Sequence, residues 1–156
     1  CNGYSADITR TFPSGKKFSH RQKQIYQIVL DVQKKVIASV KPGVKLSELN
    51  DITKKGLARG LIKIGLIKTE DELSRYYMHG VSHFLGLDTH DLGGREAALE
   101  AGNAITVEPG IYIPEEKLGV RIEDDVLVTK TSSKVLSDRI PKEIADLEKI
   151  RRQVAE

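Results

Sequence analysis

Residues 104–129 read Ala104-Ile-Thr-Val-Glu108-Pro-Gly-Ile-Tyr112-Ile-Pro-Glu-Glu-Lys-Leu-Gly119-Val-Arg121-Ile-Glu123-Asp-Asp-Val-Leu-Val-Thr129. Three short β-type runs stand out: Ala104–Glu108, Ile111–Ile113 and Gly119–Thr129, separated by Pro109-Gly110 and by a charged turn. In the last run, Val120, Ile122, Val126 and Val128 alternate with Arg121, Glu123 and Asp125, the period of a strand with two different faces. An antiparallel meander is therefore expected. Upstream, the apolar residues change period. Ile25, Val29, Val32, Val36 and Val40 recur at helical spacing, opened by Ser19 and Gln22 as a capping box and stopped by Pro42-Gly43. A second helix begins near Ser47, carries Leu49, Ile52, Leu57 and Leu61, and runs toward Gly65. Thr69 with Glu72 predicts a short third helix ending before Tyr77. Tyr4–Phe12, closed by Pro13-Ser14-Gly15, reads as a strand. A final helix opens at Pro141 with Ile144, Leu147 and Val154 on one face. Helices followed by a meander make the fold class α+β.

The chain has 156 residues, 39% of them hydrophobic, enough for one domain with a core. Charged residues make up 30% with both signs interspersed, and the formal charge is only +3. That balance argues against a nucleic-acid partner. No apolar run approaches the ~20 residues that cross a bilayer, so no membrane partner is expected. A single cysteine, Cys1, excludes an intramolecular disulfide framework and a cysteine-based zinc site, and fits a cytoplasmic location. The opening Cys-Asn-Gly-Tyr, without Met or a signal-peptide pattern, reads as the interior of a longer protein.

Polar residues recur where a core would be apolar. Asp7 lies in the first predicted strand. His79 and His83 flank Gly80-Val81-Ser82, and His90 follows in Asp-Thr-His-Asp. Glu108 ends an apolar strand and Glu123 sits within another. Three carboxylates and an imidazole from separate strands suit a hard divalent cation, with the imidazole shifting preference toward Mn²⁺, Fe²⁺, Co²⁺ or Zn²⁺. Carboxylates can also bridge two ions, which at roughly 3.5–4 Å separation clamp the nucleophile and the polarised carbonyl of an amide. Taken singly, each of these residues also fits a solvated or structural side chain, and Asp124 and Asp125 read equally as surface or turn acids. Spacing alone leaves both readings open.

Four segments carry a resemblance. Ser5-Ala-Asp7-Ile-Thr-Arg-Thr-Phe-Pro13, Met78-His79-Gly-Val-Ser-His83-Phe-Leu-Gly-Leu-Asp88, Thr106-Val-Glu108-Pro-Gly-Ile-Tyr112 and Gly119-Val-Arg121-Ile-Glu123-Asp-Asp125 are similar, in this order, to motifs of the Xaa-Pro aminopeptidase (aminopeptidase P) and prolidase family. The resemblance implies the pita-bread (creatinase/aminopeptidase) fold, a curved antiparallel sheet with outer helices. Residues 1–156 would be the C-terminal portion of the metallopeptidase catalytic domain. The family's first metal-ligand aspartate would lie upstream of Cys1, so a piece of this length is expected to be inactive alone. The implied cofactors are two divalent metal ions, Mn²⁺ in first place with Co²⁺ or Zn²⁺ as alternatives. Asp7 and Glu123 would bridge both ions, and His83 and Glu108 would bind one. His79 and His90 would line the substrate pocket and stabilise or shuttle protons at the tetrahedral intermediate. Arg121 would orient the neighbouring carboxylates, and Glu108 would also relay the proton to the leaving nitrogen. The implied substrate is a proline-containing peptide cleaved at its N-terminal Xaa-Pro bond, and the implied assembly a homodimer. A prolidase-type dipeptidase is the alternative within the class. Methionine aminopeptidases share the fold but fit the first and last motifs less well. A non-catalytic pita-bread module that binds peptide is the alternative of another class; such modules lose metal residues that this sequence keeps.

Overall fold

The computed structural model describes residues 2–154; Cys1 and the side chain of Val154 lie outside the described residues. Helix α1 spans His20–Ser39, α2 Leu46–Lys63 and α3 Ile144–Val154, with a 3₁₀ turn at Glu70–Arg75. The strands are β1 Ala104–Val107, β2 Gly110–Ile113, β3 Leu118–Arg121, β4 Asp124–Val128 and β5 Ser133–Val135.

Helix α1 starts as its sequence dictates. The Ser19 hydroxyl accepts from Gln22 N and the Gln22 side chain accepts from Ser19 N, at 3.1 and 2.8 Å, so two otherwise orphaned donors are satisfied. Its buried stripe includes Ile25, Val29, Val32 and Val36, as the spacing predicts. Two glycines of α2 let the helices approach closely: a Cβ at Gly56 or Gly60 would meet Val32 or Ile28. Two residues past the end of α2, Gly65 turns the chain with a φ of +71°, which suits a residue without Cβ. The third predicted helix is the 3₁₀ turn, with Glu72 accepting from Thr69 N at 3.3 Å. Helix α3 begins at Ile144, three residues beyond the expected Pro141, and buries Leu147 fully. No helix among the described residues is long and apolar enough to cross a membrane.

The meander is present, with a kink. β1 pairs antiparallel with β4, and β4 with β5, while β2 pairs with β3. The β1–β4 and β2–β3 pairings share one register, so together they make one long hairpin in which Glu108 falls opposite Glu123 and Pro109 opposite Ile122. The predicted single strand Gly119–Thr129 is thus split. Pro109 has no N–H to offer, so only Ile122 N to Pro109 O joins that pair; Glu123 N points outward, as alternate amides of an antiparallel ladder do, and bonds Thr9 O at 3.1 Å.

The expected strand at Tyr4–Phe12 is not one. The segment is extended but joins its neighbours largely through side chains. Thr11 Oγ1 donates to Arg121 O and accepts from Arg121 N, and Asp7 N donates to Asp125 Oδ1. Its β-branched residues favour extension, while these side-chain bonds replace the ladder. On the other flank, Val81–Leu85 runs beside β1 through Thr106 N to His83 O, Glu108 N to Val81 O and Leu85 N to Ala104 O. Helix α1 packs across both sheets and against α2, with Ile105, Ile111 and Val126 in the core between them.

Candidate metal centre

Four extended strips lie side by side: residues 5–11, the β3–β4 strip, the β1–β2 strip and residues 81–85. Each contributes one acidic or imidazole side chain near the kink. Asp7, His79, His83, His90, Glu108, Arg121 and Glu123 all line one cleft of about 560 Å³. Every site residue expected from the sequence is therefore brought together.

His83 sits at the middle. Its Nδ1 lies 3.0 Å from Phe84 O, a pure acceptor, so in the neutral ring Nδ1 carries the proton and Nε2 a lone pair. That Nε2 faces Glu108 Oε1 at 3.5 Å and Asp7 Oδ2 at 3.7 Å. One imidazole nitrogen converging with two carboxylate oxygens suits a divalent cation, and a backbone carbonyl fixing the far nitrogen is the usual partner of a metal-bound histidine. The ligand atoms of His83, Glu108 and Glu123 lie within 4.8 Å of one another, as do those of Asp7, His83 and His90. His90, expected at the substrate pocket, thus also comes within ligand range, its ring 4.2 Å from that of His83.

Glu123 is 1% exposed. Burial lifts its carboxyl from 4.5 to about 7; the charges of Glu108 and Asp7 add to this, and the Thr9 hydrogen bond and Arg121 oppose it. Without a metal the Glu123 carboxyl is therefore easier to protonate than an exposed glutamate. The donor set, three carboxylates and one imidazole, fits a divalent ion of the Mn²⁺ to Zn²⁺ series.

Arg121 orients Glu123 indirectly. Its Nε donates to Thr9 Oγ1 at 3.1 Å, and that hydroxyl donates its own proton to Glu123 Oε2; the direct Arg121–Glu123 separation is 4.0 Å. Thr9 was not singled out in the sequence, although it lies in the quoted Asp-Ile-Thr-Arg motif. His79 donates from Nδ1 to Gly80 O at 2.7 Å, which leaves Nε2 to accept from the Tyr112 hydroxyl at 2.8 Å. Burial holds the Tyr112 phenol above its ordinary value.

The surface or turn reading of Asp124 and Asp125 is wrong. Asp124 is fully buried and Asp125 nearly so. Asp124 lies on the apolar face of the alternation, where a carboxylate survives only if it is paired. It receives Arg10 Nη2, Ser137 Oγ and Lys142 Nζ, each at 2.6 Å, and Gln33 Nε2 at 2.9 Å. Burial pushes its pKa up, but those hydrogen bonds and the Lys142 charge prevail and hold it below the usual value. Asp125 Oδ1 accepts from Asp7 N and so fixes the backbone of a candidate ligand.

With this geometry in hand, likeness to known proteins is informative. The sequence profile of metallopeptidase family M24 matches residues 1–130. Xaa-Pro aminopeptidase of Haemophilus influenzae is 42% identical over 166 aligned residues, covering 94% of this chain and 39% of the relative. A provisionally named aminopeptidase P from Bacillus anthracis superposes with a TM-score of 0.95 at 52% identity, over 98% of this chain and 37% of that one. Aminopeptidase P from E. coli with the inhibitor Pro-Leu gives a TM-score of 0.89 at 37% identity, over 98% and 39%. The chain thus spans under two fifths of the length of each of these relatives. The fold they share with it is the pita-bread fold expected from the motifs. Profile, fold and clustered ligands agree: this chain belongs to metallopeptidase family M24.

Proposed function

We propose that residues 1–156 form the C-terminal portion of a metallopeptidase catalytic domain, and that the complete protein removes the residue ahead of proline from peptide N-termini. The observation that carries this reading is the convergence of His83 Nε2 with the Asp7 and Glu108 oxygens at 3.7 and 3.5 Å, with Glu123 in register opposite Glu108. The similarity to Xaa-Pro aminopeptidases supports the choice of substrate.

Asp7 and Glu123 would hold both of two divalent ions, preferably Mn²⁺, and His83 and Glu108 would bind one of them. When bound, the ions supply a water nucleophile of lowered pKa and polarise the scissile carbonyl. The protein's own groups do the rest. Thr106 Oγ1 holds Glu108 Oε1 at 3.4 Å, leaving the other oxygen to take a proton from the attacking water and pass it on. The leaving nitrogen of an Xaa-Pro bond is a tertiary amide in the substrate, so it must receive that proton to depart. His79 and His90 line the cleft where the proline side of the peptide would lie. Once protonated at Nε2, His79 can donate to a substrate oxygen in place of its contact with Tyr112.

The test is hydrolysis of an Xaa-Pro-Xaa tripeptide, an Xaa-Pro dipeptide and an Xaa-Ala-Xaa tripeptide by the complete protein with Mn²⁺. The proposal expects the first to be cut fastest. Preference for the dipeptide would make it a prolidase, and indifference to proline would overturn the substrate assignment.

A further inference from the structure

Behind the metal carboxylates lies a second cluster of charge that peptide hydrolysis does not use. Each Asp124 oxygen receives two donors: Arg10 and Ser137 on Oδ1, Lys142 and Gln33 on Oδ2. The Arg10 side chain is only 6% exposed. Its guanidinium uses its remaining donors on four carbonyls: Glu123 O at 2.6 Å, Thr9 O at 2.9 Å, and Ile140 O and Pro141 O at 3.0 Å. One rigid fork thus joins the buried aspartate, the backbone of Glu123 and the backbone of Thr9, whose hydroxyl holds the Glu123 carboxylate.

The location matters because strand pairing is incomplete there. Glu108 and Glu123 form a non-hydrogen-bonded pair of the hairpin, so their amides point outward, Glu108 N to Val81 O and Glu123 N to Thr9 O. The Glu123 carbonyl receives Arg10 Nη1 where a flanking strand would offer a backbone amide. Stability alone is a weak reason for such a cluster, since a buried ion pair is often no better than apolar residues of equal volume.

We propose that Arg10, anchored by Asp124, is a positioning residue that sets Glu123 and Thr9 for metal binding by holding the Glu123 carbonyl in place of a strand amide. The inference rests on the metallopeptidase reading above. Lys142 serves as the internal comparison. It bonds Asp124 and the Gln33 side chain but no backbone atom of the metal strips, so its loss removes charge from the cluster without releasing Glu123.

The experiment is calorimetric titration of the complete, metal-free protein with Mn²⁺ alone, with thermal unfolding of the metal-free form run in parallel. The samples are wild type, Arg10→Lys and Lys142→Met. Arg10→Lys keeps the charge but cannot span Asp124, Glu123 O and Thr9 O together. It should weaken Mn²⁺ binding about 10- to 100-fold, the usual effect of losing an outer partner of a metal ligand. Lys142→Met should lower the unfolding midpoint at least as much, yet keep Mn²⁺ affinity within about threefold of wild type, because no ligand is released. Arg10→Lys with wild-type affinity, or Lys142→Met with an equal loss, would overturn the proposal. If Arg10→Lys does not fold, Asp124→Asn, which preserves shape but removes the anchor's charge, is held to the same affinity criterion. Failure of the wild type to bind Mn²⁺ would instead refute the metallopeptidase reading.

Discussion

Replacing Gly60 by Ala places a Cβ 2.5 Å from Ile28 Cγ2, 3.1 Å from its Cγ1 and 3.4 Å from its Cβ. Ordinary contact begins near 3.4 Å, so α1 and α2 must separate or Ile28 must turn. Turning is costly, because a β-branched residue in a helix has one strongly preferred χ1 rotamer, and here both γ carbons lie too close. Overpacking of this kind costs about 1–3 kcal/mol. Against it stands a helix-propensity gain of about 1 kcal/mol for Ala over Gly. The net expectation is destabilisation by up to about 2 kcal/mol, or a fall in Tm of up to about 8 °C for a domain of this size. Thermal unfolding followed by circular dichroism measures it. In an Ile28→Ala background the clash is gone, and Gly60→Ala should then be neutral or stabilising, a coupling of at least about 1 kcal/mol. A Gly60→Ala single variant more stable than wild type would refute the close-packing argument.

Three further outcomes are expected. Tyr112→Phe removes the hydroxyl that His79 Nε2 accepts from; Mn²⁺ affinity should be unchanged while kcat/KM for an Xaa-Pro peptide falls about five- to tenfold, the worth of one hydrogen bond. Thr9→Val keeps the shape but cuts the relay from Arg121 to Glu123, and should weaken Mn²⁺ binding about tenfold in a calorimetric titration. The Glu123 carboxyl, raised from 4.5 to about 7 in the metal-free protein, contributes stability that is full below the unfolded value and is lost as pH rises through about 7. Metal-free protein should therefore melt higher at pH 6 than at pH 8. Mn²⁺ affinity should run the other way, falling up to tenfold per pH unit below about 7, because the proton must leave first.

Much of this was legible in the residues. The capping box at Ser19 and Gln22 and the helical stripe of α1 are local signals, and local physics decides them. All seven site residues named from the sequence line one cleft, since motif residues at strand ends converge once the hairpin closes. What was not legible depends on long-range partners. Tyr4–Phe12 has strand composition, but Asp7 N bonds a distant side chain and the Thr11 side chain a distant amide, each more than a hundred residues away. The split in Gly119–Thr129 depends on Pro109 arriving opposite Ile122, which only the register reveals. Asp124 does carry a signal in the sequence: it falls between Ile122 and Val126 on the apolar face, where an acid must be paired. Its partners Arg10, Gln33 and the pair Ser137 and Lys142 come from three separate segments, and no spacing rule joins them.

The most direct test of the central claim is peptide cleavage by the complete protein and its Glu123→Gln variant, each with Mn²⁺ and after chelation. The account predicts cleavage ahead of proline by the wild type, lost on chelation and restored by Mn²⁺, and reduced at least about 100-fold in Glu123→Gln by loss of a carboxylate that binds the metal. Cleavage at the wild-type rate by Glu123→Gln, or by chelated protein, would contradict it.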